Sequence, residues 1–145
     1  MLVASILADK GSFVATVPST ASVADAARAL ASYGIGALVV TADGTTIEGL
    51  VSERDVSHAV ARHGHDALAM AVAEVMTTDV RTCRPDDTCD SLMRVMTEQR
   101  TRHLPVVDER ARMIGLVSIG DVVKHRVDEL QLESQVLHDY LYSGR

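Results

Sequence analysis

The sequence predicts a mixed α/β (α+β) protein built from two β-α-β-β-α repeats related by a pseudo-twofold axis. Three observations carry this expectation. The heptad from Gly49 to Asp55, GLVSERD, returns from Gly115 to Asp121 as GLVSIGD. The same shift, without any gap, carries Val14 onto Val80, Thr16 onto Thr82, Arg28 onto Arg94, Leu38 onto Leu104 and Val40 onto Val106. Apolar patterns also change in the same order along both copies. A fixed internal period marks two copies of one supersecondary unit.

Each copy begins with a short extended piece, residues 14–17 or 80–83, followed by Pro18 or Pro85 in a polar turn. A helix follows. It is opened by Ser22 or Thr88, residue types whose side chains accept from the first free backbone N–H groups. In the first copy Val23, Ala26, Ala27 and Leu30 fall on one helical face and Gly34 is a suitable stop. Two β-like runs come next, ALVVT with IEGLV and LPVVD with MIGLV, joined through the turn sequences ADG and ERAR as hairpins. The continuous apolar letters of residues 37–40 read as a strand buried on both faces. A second helix closes each copy, residues 53–62 and from Ile119 to about Asp128. The expected organisation is a first repeat over 6–66, a second over 76–128, and an amphipathic helical tail over 129–145. The joining residues 64–73 include a helix-prone run, with a turn at Thr77-Thr78-Asp79.

Composition narrows the function classes. The chain has 145 residues, enough for one core shared between two small halves, each of which would be marginal alone. Its net charge of −6 and the lack of a Lys/Arg run argue against a duplex-binding surface. A few placed arginines still suffice for a small anion. No apolar run approaches a membrane span, and the N-terminal apolar stretch is too short for a secretory signal. Two cysteines, Cys83 and Cys89, cannot make a disulfide framework and read as buried thiols. A soluble cytoplasmic protein is expected.

The repeated heptad holds the chemistry. Ser52 with Asp55, and Ser118 with Asp121, have the spacing of a helix capping box, and capping alone would account for them. A cap does not require the glycines Gly49 and Gly115, however. A helix N-terminus also favours anions through its free N–H groups and dipole. A hydroxyl and a carboxylate there suit a nucleotide, since the acid can accept from two ribose hydroxyls.

GLVSERDV and GLVSIGDV, with RHLPVVD before the second, closely resemble the paired cystathionine-β-synthase-type (CBS) domains, also called a Bateman module. The resemblance spans about residues 6–128. It implies clefts between the copies that take an adenosine-containing ligand: AMP, ADP, ATP, NAD or S-adenosylmethionine. It further implies a regulatory module without catalysis or a required cofactor, acting on another protein, and commonly a flat homodimer. By position, Asp55 and Asp121 would hold ribose, with Ser52 and Ser118 near ribose or phosphate. Thr16 and Thr82, with the backbone beside Val17 and Cys83, would lie where the family lines the adenine. Arg102 and His103 match its basic pair near phosphate. The first copy departs there with Gly36 and Ala37, yet carries Arg54 where the second has Gly120. Unequal clefts are expected.

Other constellations are weaker. His63-Gly64-His65 has H-x-H spacing but no further specified ligand, so no metal site is assigned. No G-x-S-x-G elbow supports a hydrolase, and no catalytic residue is assigned. Val127, Leu130, Ser134, Leu137 and Leu141 form one stripe on the tail, suited to packing on the parent domain or on another subunit. The reading is a stand-alone adenosine-nucleotide sensor. The alternatives are a constitutive interaction scaffold whose Ser/Asp pairs are only caps, or a small metal-dependent enzyme using the H-x-H.

Overall fold

The computed structural model describes residues 1–144; Arg145, the end of the expected tail, lies outside the described residues. The elements run α1 (Val3–Lys10), β1 (Thr16–Val17), α2 (Val23–Tyr33), β2 (Ala37–Val40), β3 (Gly49–Ser52) and α3 (Glu53–His63). A 3-10 turn (Gly64–Ala69) and α4 (Val72–Val75) join the copies. The second copy supplies α5 (Cys89–Glu98), β4 (His103–Val107), β5 (Met113–Ser118) and α6 (Ile119–Ser143). The mixed fold and the repeat are as the sequence predicts.

In the first copy β1 runs parallel to β2, and β2 antiparallel to β3 with Val39 opposite Leu50. All four residues of β2 are buried, so the strand is covered on both faces. In the second copy β4 and β5 pair antiparallel with Pro105 opposite Leu116, and the expected first strand shrinks to a parallel bridge between Cys83 and Val106. The two hairpins meet through Val39, Leu50, Met113 and Leu116, flanked by Val14 and Val80. Leu50 and Leu116, and likewise Val14 and Val80, are equivalent positions, so this cluster straddles the pseudo-twofold axis. The Met113 N–H also donates to the Thr45 carbonyl at 2.8 Å, tying one copy to the other.

Two findings revise the expected boundaries. The first concerns α1, which the sequence reading did not assign. Val3 and Ile6 are fully buried in the core of the second copy, against Leu92, Leu104 and Val117. Val72 of α4 is buried in the core of the first copy, against Ala26, Leu38 and Val51. Each copy is therefore completed by the segment that precedes the other. The hydrogen bonds match: Val3 N–H donates to Asp87 and Ala4 N–H to Pro85, as Val72 N–H donates to Ala21 and Ala73 N–H to Ser19. Residues Ile6 and Leu7, expected in the first repeat, serve the second.

The second concerns the tail. No break occurs near Asp128; α6 is one helix to Ser143. Its first turns are anchored by Val122 and His125, and the chain amino group lies 3.7 Å from the Glu129 carboxylate. From Leu130 onward every described residue is exposed, including Leu130, Leu137 and Leu141 of the expected stripe. The stripe does not pack on its own domain, because the helix runs past the end of the α1–α5 surface by roughly 20 Å at 1.5 Å per residue.

Candidate functional site: a basic cleft at the start of α3

The heptad forms the end of a strand and the first turn of a helix in both copies. Ser52 has extended backbone and its Oγ accepts from the Asp55 N–H at 3.2 Å. Asp55 Oδ2 accepts in return from the Ser52 N–H at 2.8 Å and from its hydroxyl at 3.0 Å. Ser118 and Asp121 repeat all three bonds at the same distances. The capping role is thus real, and contributes about 1 kcal/mol per helix end. It uses one carboxylate oxygen. Asp55 Oδ1 meets only the Thr77 hydroxyl, at 3.3 Å, and stays available to a further donor.

The heptad glycines are explained by close approach. A Cβ at Gly49 would stand 2.8 Å from both the Met76 sulfur and the Thr77 carbonyl oxygen, because residues 76–77 run along β3. Leu50 and Thr77 exchange both backbone hydrogen bonds there. At Gly115 the neighbour is Leu7 of α1, whose Cδ2 would lie 2.7 Å away.

A cavity of about 520 Å³ opens at Ser52 and Asp55. Its floor is partly apolar, through Ala37, Leu50 and Val80. Its rim is cationic: Arg54 from the first copy, with Arg81, Arg100, Arg102 and His103 from the second. The three basic residues expected in different copies therefore line one cavity with Asp55, which Glu53 and Asp79 also border. His103 reaches across the axis, its ring 3.1 Å from where a Gly36 Cβ would sit, with Glu53 just beyond. Burial, with the neighbouring Lys10 ammonium, pulls the His103 imidazole below its ordinary value; Asp121 and Glu53 oppose this. Arg81 is also held near Asp79, at 3.7 Å.

Thr16 and Thr82 are exposed and are not among the residues lining this cavity; the side chains of Val17 and Cys83, expected to contribute backbone, are buried in the two cores. Side chains alternate along an extended chain, and here the chain meets the cavity one to five residues before Thr82, at Thr77, Asp79, Val80 and Arg81. Burial drives the Cys83 thiol up to about 12, with Asp87 adding to it, which marks an inert core group. Arg81 and Arg100 were missed. Arg100 stands at the position equivalent to Gly34, and both adopt left-handed backbone, φ 51° and 64°. An arginine in a place that favours glycine was the available signal.

Ser118 and Asp121 do not line this cavity. Lys10 Nζ contacts Asp121 Oδ2 instead, at 2.5 Å. Burial works against the Asp121 charge, but the Lys10 ammonium and the Ser118 donors outweigh it and hold the carboxyl below its usual range. Among the described residues no cluster of three or more His, Cys, Asp or Glu is placed to hold a metal ion. No helix among them is long and apolar enough to cross a membrane.

Comparison with known proteins shows the family and the fold. The model of the CBS domain family matches twice, over residues 11–62 and 72–128. The CBS domain-containing protein CBSX3, mitochondrial, of Arabidopsis thaliana is 35% identical over 85% of this chain, which spans 61% of that protein's length. The crystal structure of a CBS-domain containing protein from Agrobacterium tumefaciens superposes with a TM-score of 0.83 at 42% identity, covering 87% of this chain and 99% of the other. The CBS domain pair of protein MJ0100, solved in complex with 5′-methylthioadenosine and S-adenosyl-L-methionine, superposes at 0.78 with 25% identity, over 89% and 98% of the two chains. With both repeats matched in sequence and the pair matched as a fold, the chain belongs to the CBS-domain family.

Proposed function

We propose that this protein is a regulatory, non-catalytic sensor that takes an adenosine nucleotide (AMP, ADP, ATP or NAD) in the Asp55 cavity. The observation that carries the reading is the company Asp55 keeps. One carboxylate oxygen free for ribose hydroxyls faces an apolar floor suited to a base, and four arginines with His103 rim the same space. A lone cap would not gather cations from both copies. Charge-assisted and bidentate arginine contacts suit phosphate, and the N-terminus of α3 adds its dipole. The pair MJ0100, which holds adenosine-based ligands, supports the class of ligand. The free, buried thiols Cys83 and Cys89 fit a reducing, cytoplasmic setting.

The test is titration calorimetry with adenosine and AMP on wild type, Asp55→Asn and Arg102→Ala. Asp55→Asn keeps the neutral part of the cap and should weaken both ligands about ten-fold, the loss of roughly 1.5 kcal/mol of charged hydrogen bonding. Arg102→Ala should weaken AMP at least ten-fold and adenosine little. Unchanged affinity in both variants would return the Ser/Asp pairs to capping alone and favour a constitutive scaffold.

Ligand binding across the axis reads out through the relative placement of the two copies, and α6 is the element we assign to a partner. An isolated helix of this length is marginal in water. The run from Leu130 to Ser143 nevertheless exposes Leu130, Leu132, Val136, Leu137 and Tyr140. A second copy of the chain covers it in this reading. Truncation after Leu130 should leave the melting temperature of the repeats within a few degrees while sedimentation shifts from dimer to monomer. A monomeric full-length chain would defeat the assignment.

A further inference from the structure

The two Ser/Asp caps are superposable in detail, yet their carboxylates have different neighbours, and α1 is the reason. Residues Met1 to Ala4 occupy in the second copy the place that Met70 to Ala73 occupy in the first: Cys89 N–H donates to the Met1 carbonyl as Val23 N–H donates to that of Met70. The equivalence ends after one turn. Helix α4 stops at Val75, and residues 76–77 leave as extended chain along β3, bringing the neutral Thr77 hydroxyl to Asp55. Helix α1 continues to Lys10, closed by Gly11 at φ 90°, and this added turn carries a cation onto Asp121.

We propose that the last turn of α1 is a tethered plug, with Lys10 taking the place of a ligand at Asp121, so that each chain binds nucleotide only in the Asp55 cleft. The pairing is partly shielded, the Lys10 and Asp121 side chains being 31% and 24% exposed. It is intramolecular, so its ammonium competes at a high effective concentration with any hydroxyl that approaches from solution. The positions equivalent to the first cleft's cations offer no compensation, and His103 is the one basic side chain of that set close enough to feel the Asp121 charge. Where the first cleft has Arg54, Arg100, Arg102 and His103, the equivalent positions are Gly120, Gly34, Gly36 and Ala37. A nucleotide entering beside Asp121 would displace a cation and find none at these positions for its phosphate.

This inference rests on the proposed role of Asp55, and the experiment separates the two. AMP and adenosine are titrated calorimetrically into wild type, Lys10→Met, Lys10→Gln and Lys10→Met/Asp121→Asn, with circular dichroism melts to establish folding. Met keeps the apolar stem and Gln a polar tip, so one variant failing to fold leaves the other. The expected result is about one site per chain in wild type and a second site in the Lys10 variants. That second site should be lost again with Asp121→Asn and should bind adenosine and AMP within about three-fold of each other. One site in wild type and in both Lys10 variants overturns the plug and leaves the Asp55 reading standing. Two sites in wild type also overturn it. No binding in wild type, with one Asp121-dependent site in the Lys10 variants, upholds the plug and overturns the Asp55 reading. No binding by any folded variant overturns both.

Discussion

The two copies begin from nearly the same heptad and end with different partners at its carboxylate. Around Asp55 the neighbours are a hydroxyl and an open rim carrying four arginines; Asp121 is already paired with a lysine from α1, with His103 near enough to feel both charges. The caps themselves are identical in geometry, so the difference does not arise in the Ser/Asp pairs. It arises in what precedes each copy, three residues more in the N-terminal segment than in the linker, and in where the arginines stand, Arg54 within the heptad included. A longer segment before the first copy, the exchange of Arg54 for Gly120 within the heptad, and the arginines outside it together make the surroundings of the two carboxylates unequal.

The glycines of the heptad give the largest expected effect on stability. Gly49→Ala would push a methyl against the Thr77 carbonyl oxygen, which accepts from the Leu50 N–H in a residue whose own N–H donates to the Leu50 carbonyl. Overpacking of this kind costs about 1–3 kcal/mol. Gly115→Ala meets only the end of the Leu7 side chain, which can turn aside, and should cost less than half as much. Chemical denaturation of both variants checks the order. Equal losses would mean that α1 is held as rigidly as the linker, and would blur the contrast between the clefts.

A smaller effect is expected where Arg100 faces Gly34 across the axis. Left-handed backbone costs a non-glycine residue about 1–2 kcal/mol, and glycine returns part of that gain as unfolded-state entropy. Arg100→Gly should therefore leave stability unchanged or raise it by up to about 1 kcal/mol. If Arg100 is kept for phosphate, the same variant should lose affinity for AMP and keep that for adenosine. A clear loss of stability in denaturant would show that Arg100 serves the fold.

Much of this was legible in the chain. The hairpins, the capped helices and the repeat follow from letters that local physics reads directly: apolar alternation, Ser and Thr at helix starts, Gly34 at a helix end. The exchange of α1 and α4 was not read, although Met1-Leu2-Val3-Ala4 and Met70-Ala71-Val72-Ala73 are nearly the same words. Their offset differs by three from the main period, so a gapless alignment passes over them, and burial of Val3 in the far copy is a tertiary fact. The unequal clefts were anticipated from Arg102 and His103 facing Gly36 and Ala37. That Arg54 and that pair serve a shared zone follows from the pseudo-twofold relation, which brings the start of α3 against the start of β4; the same relation did not reveal Arg81 and Arg100 beside them. For the adenine-lining residues, period-two alternation decides which side chain faces the cleft, and the reading of 16–17 and 82–83 fell beyond the cavity.

The smallest expected effect concerns protons, and it isolates His103 from the arginines around it. The equivalent residue, Ala37, is buried and cannot titrate, so only one side of the axis has this group. Burial lowers the His103 value, the Lys10 and Arg102 charges add to that, and Asp121 and Glu53 pull the other way. With the folded value below that of the unfolded chain, about 6.5, the neutral ring is the one the fold favours. The stability it confers is therefore complete above about pH 6.5 and declines as pH falls toward the folded value. A phosphate held by Arg102 would add negative charge beside the ring and raise its value again. AMP binding at about pH 6 should then take up more protons, or release fewer, in wild type than in His103→Gln, where only the phosphate's own ionisation in this range contributes. Adenosine, which brings no charge, should show almost no exchange in either. Calorimetry in two buffers of different ionisation enthalpy measures this. If uptake on AMP binding persists undiminished in His103→Gln, the proton goes elsewhere and the phosphate does not sit beside this ring.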